Sequence, residues 1–405
     1  MLRLFLALLL ASSTLQRQSQ SPSHALADAV LRGDLAQARA LIRDGLDIDD
    51  RDASGWTPLT YAAASGHMPL VRLLIDAGAN PNVSDEEGSS PLMLAAAGGH
   101  LDVVRLLVHH GSDMKAVDRQ HMTPLMLAAA SGHPATASFL LESGAQPNAR
   151  DSTGATALIH AADGGFAATL EVLLAGGGTP AAKDKDGQTA LMLIAAQGST
   201  QAVAALIKHG ADINAVDRNG QGPLTYAAAA KRLDVIRVLV AAGARQEMTG
   251  AVMMAATKCD VNAVRFFLGH NLTVNDHDAH GETALIAAGA AGCSDTVRWL
   301  LARGADVIQA NDDRVTPLVA AGFGESEAAL MLLIERVPDV NVADGAGRTA
   351  IMGAAERGWL TGVKALIAKG ADPTISDNQG KSASGYAVLA GQFDVVGYLR
   401  SVIEK

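Results

Sequence analysis

The phrase TPLMLAAASGH at 123–133 has near-copies at 57–67 (TPLTYAAASGH) and 90–100 (SPLMLAAAGGH), each displaced by 33 residues. With the opening Thr as a mark, the phrase restarts at Thr57, Ser90, Thr123, Thr156, Thr189 and Gly222, and again at Thr283, Thr316, Thr349 and Ser382. A degenerate copy from Gly250 fills the interval between Gly222 and Thr283. This repeat, near 245–277, is shortened by five residues. A first copy starts at His24, making about twelve copies over 24–405. A unit this short cannot bury an apolar face alone, so the chain must stack its copies side by side.

One copy explains itself residue by residue. Asp52-Ala-Ser-Gly55 is a turn, in which Asp accepts from backbone just ahead and Gly takes a positive φ. Thr57 is a helix N-cap, and Pro58 stands at the first helical position, where its missing N–H costs nothing. Leu59, Ala62 and Ala63 form the apolar stripe of a short helix that Gly66 ends. Val71, Leu74 and Ile75 repeat the stripe in a second helix, which Gly78 ends. Small alanines suit close helix-on-helix packing, and the bland phrase is therefore core and caps.

The pattern resembles that of the ankyrin-repeat family: a turn Asp and Gly, TPL followed by Ala-Ala and Gly-His, then paired apolar residues and Gly-Ala. The resemblance covers nearly all of 24–405. It implies an all-α solenoid, helix-turn-helix plus hairpin finger, that binds a protein partner and catalyses nothing. One departure is systematic. The family's His after TPL is replaced by Thr60, Met93, Met126, Ile159, Met192 and Thr225, so packing is expected to hold that corner. Family partners lie along the concave side, against fingers and first helices. Carried over by position, this surface comprises Trp56, Glu86, Glu87, Arg119, Gln120, Met122, Lys185, Arg218, Asn219, Lys258 and His280. Trp56 has two readings: an exposed hot spot, or a ring packed on the N-terminal cap. The shortened copy leaves no room for a finger after Arg245, so a notch is expected in the rim there.

His67, His100 and His133 share one slot in successive copies, but repeats about 10 Å apart, a helix diameter, cannot bring three ligands to one ion. No metal or cofactor is expected. The two cysteines, Cys259 and Cys293, fall at the ninth and tenth positions of adjacent copies. Regular spacing exceeds the reach of a disulfide, so a bond between them is expected only if the offset and the distorted copy close the gap. His160 and Asp163, one turn apart, are weak evidence of chemistry, and no nucleophile–base pair, Walker loop or dinucleotide fingerprint stands out.

The net charge of −10 argues against nucleic-acid binding. At the N-terminus Arg3, the apolar run 4–11 and small residues to Ser13 have the pattern of a secretory signal peptide, too short to span a bilayer. Residues 1–13 are therefore read as the signal, with cleavage near Ser13, and 14–23 as a flexible leader. The expected product is a monomer in the periplasm or outside the cell, without stable membrane insertion. With the export signal, the resemblance extends to the exported ankyrin proteins of bacteria. Two alternatives stay open: a cytoplasmic scaffold with an uncleaved N-terminal capping helix, and an exported inhibitor or antidote of a toxic or stress-related enzyme.

Overall fold

The computed structural model describes residues 24–404 apart from 246 and 271. The proposed signal peptide and leader, 1–23, lie outside the described residues. The chain divides into two compact units, one ending at Gly220 and the other starting at Gln221. Each is a stack of helix pairs, and among the described residues the only strand-like pairing is a set of isolated bridges such as Lys183–Thr189.

In the first unit the pairs are α1 (Ala25–Leu31) and α2 (Leu35–Arg43), α3 (Pro58–Ala64) and α4 (Met68–Asp76), α5 (Pro91–Ala97) and α6 (Leu101–His109). They continue with α7 (Pro124–Ala130) and α8 (Pro134–Glu142), α9 (Ala157–Asp163) and α10 (Ala167–Ala175), α11 (Ala190–Gln197) and α12 (Thr200–Lys208). The second unit holds α13 (Pro223–Ala229) and α14 (Leu233–Ala241), α15 (Met248–Thr257) and α16 (Val261–Leu268), α17 (Ala284–Ala290) and α18 (Ser294–Ala302). Its last pairs are α19 (Pro317–Phe323) and α20 (Glu327–Ile334), α21 (Ala350–Glu356) and α22 (Leu360–Ala368), α23 (Ala383–Leu389) and α24 (Phe393–Ile403). Within each unit, first helices pack on first helices and second on second, forming two layers.

The first helices are short because their ends are written into the sequence. Thr57, Thr123 and Thr156 accept from the backbone N–H three residues on, and Pro occupies the first turn of α3, α5 and α7. Gly66, at φ +70°, turns the chain between α3 and α4. Between the layers lie Leu59, Leu74, Leu92, Leu107, Leu125 and Leu140, all fully buried. Each such leucine contributes about 1.5–3 kcal/mol by leaving water. Ala62, Ala95 and Ala128 are equally buried and set the close approach of neighbouring first helices.

The corner expected to rely on packing carries a side-chain bond after all. In α5, α7 and α11 the Met three residues past the N-cap turns its sulfur back to accept the N-cap amide, at 3.4 Å from Ser90, Thr123 and Thr189. A thioether is a weak acceptor, but an otherwise orphaned helix-start donor meets it in a buried site. In α3 the hydroxyls of Thr57 and Thr60 bond each other at 3.0 Å.

Candidate partner-binding surface

Each finger is built on one side-chain oxygen, an Asp carboxylate in most copies and the amide of Asn311 before α19. Asp85 Oδ1 accepts from the amides of Glu87 and Ser89, Asp118 Oδ1 from Gln120 and Met122, Asp184 Oδ1 from Asp186 and Gln188, and Asp278 Oδ1 from His280 and Glu282. The positive φ that closes each turn falls on Gly55, Gly88 and Gly187, but on His121 in the finger before α7 and Arg314 in that before α19. Successive fingers are then laced together by backbone. Arg119 N–H donates to Glu87 O at 2.9 Å, Ser152 to Gln120 at 2.8 Å, Lys185 to Thr153 at 2.8 Å and Arg218 to Asp186 at 3.0 Å. In the second unit Asp312 donates to His280 at 2.9 Å. The ladder fixes where each fingertip side chain leaves the backbone.

On that frame Glu86, Glu87, Arg119, Gln120, Lys185, Arg218 and Asn219 are exposed in the first unit, while Met122 is half-buried. Two of these residues engage each other: Arg119 Nη1 lies 2.9 Å from Glu87 Oε1, with both side chains about three-fifths exposed. Trp56 is half-buried. Its Nε1 donates to Asp85 Oδ2 of the next finger at 3.0 Å, and its ring lies 4.8 Å from that of Tyr61. These contacts tie it to its own copy and to the following finger. Burial, set against amide donors from Ser89 and Glu87 and the indole of Trp56, leaves the Asp85 carboxyl above the usual range.

The floor beside the fingers is small: Ala64, Ala97 and Ala130 are half-buried, as is Ser131, and Ser65 and Gly98 are exposed. His100 and His133 are structural. Their Nε2 atoms reach back to Ala64 O at 3.1 Å and Ala97 O at 2.9 Å in the preceding copy. Gln197 Nε2 makes an analogous reach to Asp163 O at 2.7 Å. No group of three or more His, Cys, Asp or Glu that could hold a metal occurs among the described residues. His160 pairs with Asp151 at 2.8 Å and not with Asp163. Burial works against the Asp151 charge, but bonds from Thr153, His160 and the Ala155 amide hold its carboxyl below the usual range.

In the second unit the shortened copy has no finger. Glu247 is the residue ahead of α15, and its buried carboxylate turns inward, accepting from Gly222 N–H and, at 3.1 Å, from Thr225 Oγ1. Gly222 stands where other copies have a capping Thr or Ser, and Glu247 accepts its amide, the donor that a Met sulfur takes in α5, α7 and α11. The deletion thus carries a specific role, which a repeat alignment does not reveal because Glu247 acts on the copy before its own. Lys258 and His280 are exposed beside this copy.

Cys259 and Cys293 are joined by a disulfide, with Cα atoms 5.1 Å apart. In regular copies a Cβ placed on Gly66 would lie 2.5 Å from His100 Nδ1, one on Gly99 2.4 Å from His133 Nδ1, and one on Gly292 2.7 Å from Ser326 Cβ. At these junctions the ninth position of one copy faces the tenth of the next. Cys259 and Cys293 occupy this same pair of positions, the first of them in the shortened copy. Cys293 stands in the histidine slot, its Sγ 3.9 Å from Thr257 O, and Cys259 keeps the glycine-like φ of +57°.

Paired short helices, Asx-built fingers and a finger ladder within each unit define a helical repeat scaffold. A family model described as ankyrin repeats in three copies matches at 26–118, 70–151, 111–184, 158–249, 244–312 and 318–404, and the chain belongs to the ankyrin-repeat family. No curated protein matches the chain.

Proposed function

We propose that this chain is a non-catalytic module that holds a protein partner against its fingers and first helices, the concave side in the family's geometry. The observation that carries the reading is the finger ladder of the first unit. It presents Glu86, Arg119, Lys185 and Arg218 as exposed, chemically varied side chains on backbone held by consecutive hydrogen bonds. Preorganised backbone lowers the entropy that a partner must overcome on binding. Below these tips the small residues Ala64, Ala97 and Ala130 leave room for a partner's side chains.

We also propose export, with residues 1–13 removed near Ser13. A chain with only two cysteines, both in one disulfide, fits an oxidising compartment. The test is in-cell crosslinking of tagged protein, followed by fractionation and recovery, beside a Trp56→Ala, Arg119→Glu, Arg218→Glu variant. A partner recovered from the exported fraction and lost with the variant supports the reading. A partner retained by the variant moves the site off the fingers, and a mature N-terminus at Met1 removes the export proposal.

A further inference from the structure

The outer layer of the second unit carries a feature that the finger reading does not use. Three consecutive second helices, α14, α16 and α18, present an exposed arginine at the same repeat position: Arg237, Arg265 and Arg298. The following position, on the next helix, holds an aromatic ring twice. Arg237 Cζ lies 5.0 Å from the centre of the Phe266 ring, and Arg265 Cζ lies 5.5 Å from the Trp299 ring. Arg303, one turn along α18 from Trp299, stacks on that ring too, at 5.1 Å. His270 adds its imidazole to Phe266, with ring centres 4.1 Å apart, and Nδ1 donates to Phe266 O at 2.7 Å.

The donors of these arginines are unspent. Among the described residues none of the side chains of Arg237, Arg265, Arg298 and Arg303 forms an ion pair or a hydrogen bond. Asp234 and Asp295 share helices with Arg237 and Arg298 but pair with neither. Stacking a guanidinium on a ring fixes its plane and leaves its in-plane N–H fork pointing outward, the geometry that grips a carboxylate with two parallel bonds. A solvated charge needs no such ring beneath it.

We propose that the outer face of α14, α16 and α18 is a second docking surface, separate from the fingers, that receives an acidic peptide segment of a partner protein. The cations recur once per repeat, so they match carboxylates spaced along an extended peptide. A long polyanion fits less well, since a body with net charge −10 repels phosphates beyond this short stripe. The proposal is independent of the finger reading, and either can fail alone.

The test uses the 405-residue protein and a fluorescein-labelled ten-residue glutamate peptide, followed by anisotropy at low and physiological salt. Binding should weaken by about tenfold or more in an Arg265→Gln, Arg303→Gln variant with unchanged far-ultraviolet circular dichroism, the loss of one to two charge-assisted forks. Lys at both positions should rescue only part of the affinity. Arg72→Gln in the first unit, which stacks on no ring among the described residues, should leave it unchanged. In wild-type protein the peptide should slow hydrogen exchange in α16 and α18. Equal affinity in the Gln variant, or protection confined to the fingers, overturns the proposal. So does tighter binding of single-stranded DNA or phosphatidylserine vesicles than of the peptide.

Discussion

Asp151 shows how much one side chain can organise. Its carboxylate accepts from Thr153 N–H and Oγ1, from Ala155 N–H and from His160, closing the finger ahead of α9 and tying it to that helix. Asp151→Ala should destabilise the first unit by about 1–3 kcal/mol, because it strands buried donors, measured by urea unfolding at pH 7. The folded carboxyl titrates below the ordinary aspartate value of 3.8. Its contribution is therefore fully present above pH 3.8 and is lost as pH falls through the lower folded value. Wild-type protein should lose more stability than Asp151→Ala on going from pH 5 to pH 3, and an equal loss would show that the carboxylate is not so held. Tyr386 is the reverse case: burial and its 2.8 Å bond to Asp377 push the phenol up to about 12, so it stays neutral and donating throughout the physiological range. The Asp of each turn was legible in the sequence. The role of His160 was not, because its partner lies nine residues back, off its own helix.

The pairing of ninth and tenth positions is a property of the element rather than of the cysteines. Gly99→Cys with His133→Cys should therefore form a second disulfide within the first unit, seen as a mass loss of about 2 Da and no free thiol. Two labelled thiols in the folded, oxidised protein would show that the close approach of α5 and α7 turns is not as described. The native bond closes a 34-residue separation. By loop-closure entropy, replacing both cysteines by Ser should lower the stability of the second unit by about 3–4 kcal/mol at most, measured by denaturant unfolding. Glu247→Gln tests the shortened copy. It keeps an acceptor for Gly222 and Thr225 but removes the charge, so it should cost less than Glu247→Ala, which leaves the Gly222 amide and the Thr225 hydroxyl short of an acceptor. Removing a buried partner of this kind costs about 1–3 kcal/mol.

Across the whole molecule, stability in a repeat stack is local, a sum over copies and their neighbours. Reducing the disulfide should accordingly accelerate hydrogen exchange in α15–α18 while leaving α3–α10 unchanged. A uniform acceleration over both units would mean that the chain unfolds as one cooperative body. The two proposed surfaces are also separable: finger substitutions in the first unit and arginine substitutions on the outer layer of the second should abolish different interactions.

The sequence by itself determined the period, the helix pairs, their caps and the family, because these follow from local chemistry: a Thr or Ser before Pro-Leu, a Gly at most positive-φ turns, an apolar residue on each buried face. It also located the shortened copy and marked both cysteines. Only the tertiary structure decided what crosses from one copy to the next. Its distances place the ninth position of a copy against the tenth of its successor, turn Glu247 back onto Gly222, and lay Arg265 over Trp299. Those partners are about one repeat apart in the chain. Side-chain identity at one repeat position does not say which position of the neighbouring copy it will meet; that depends on the offset between stacked helices.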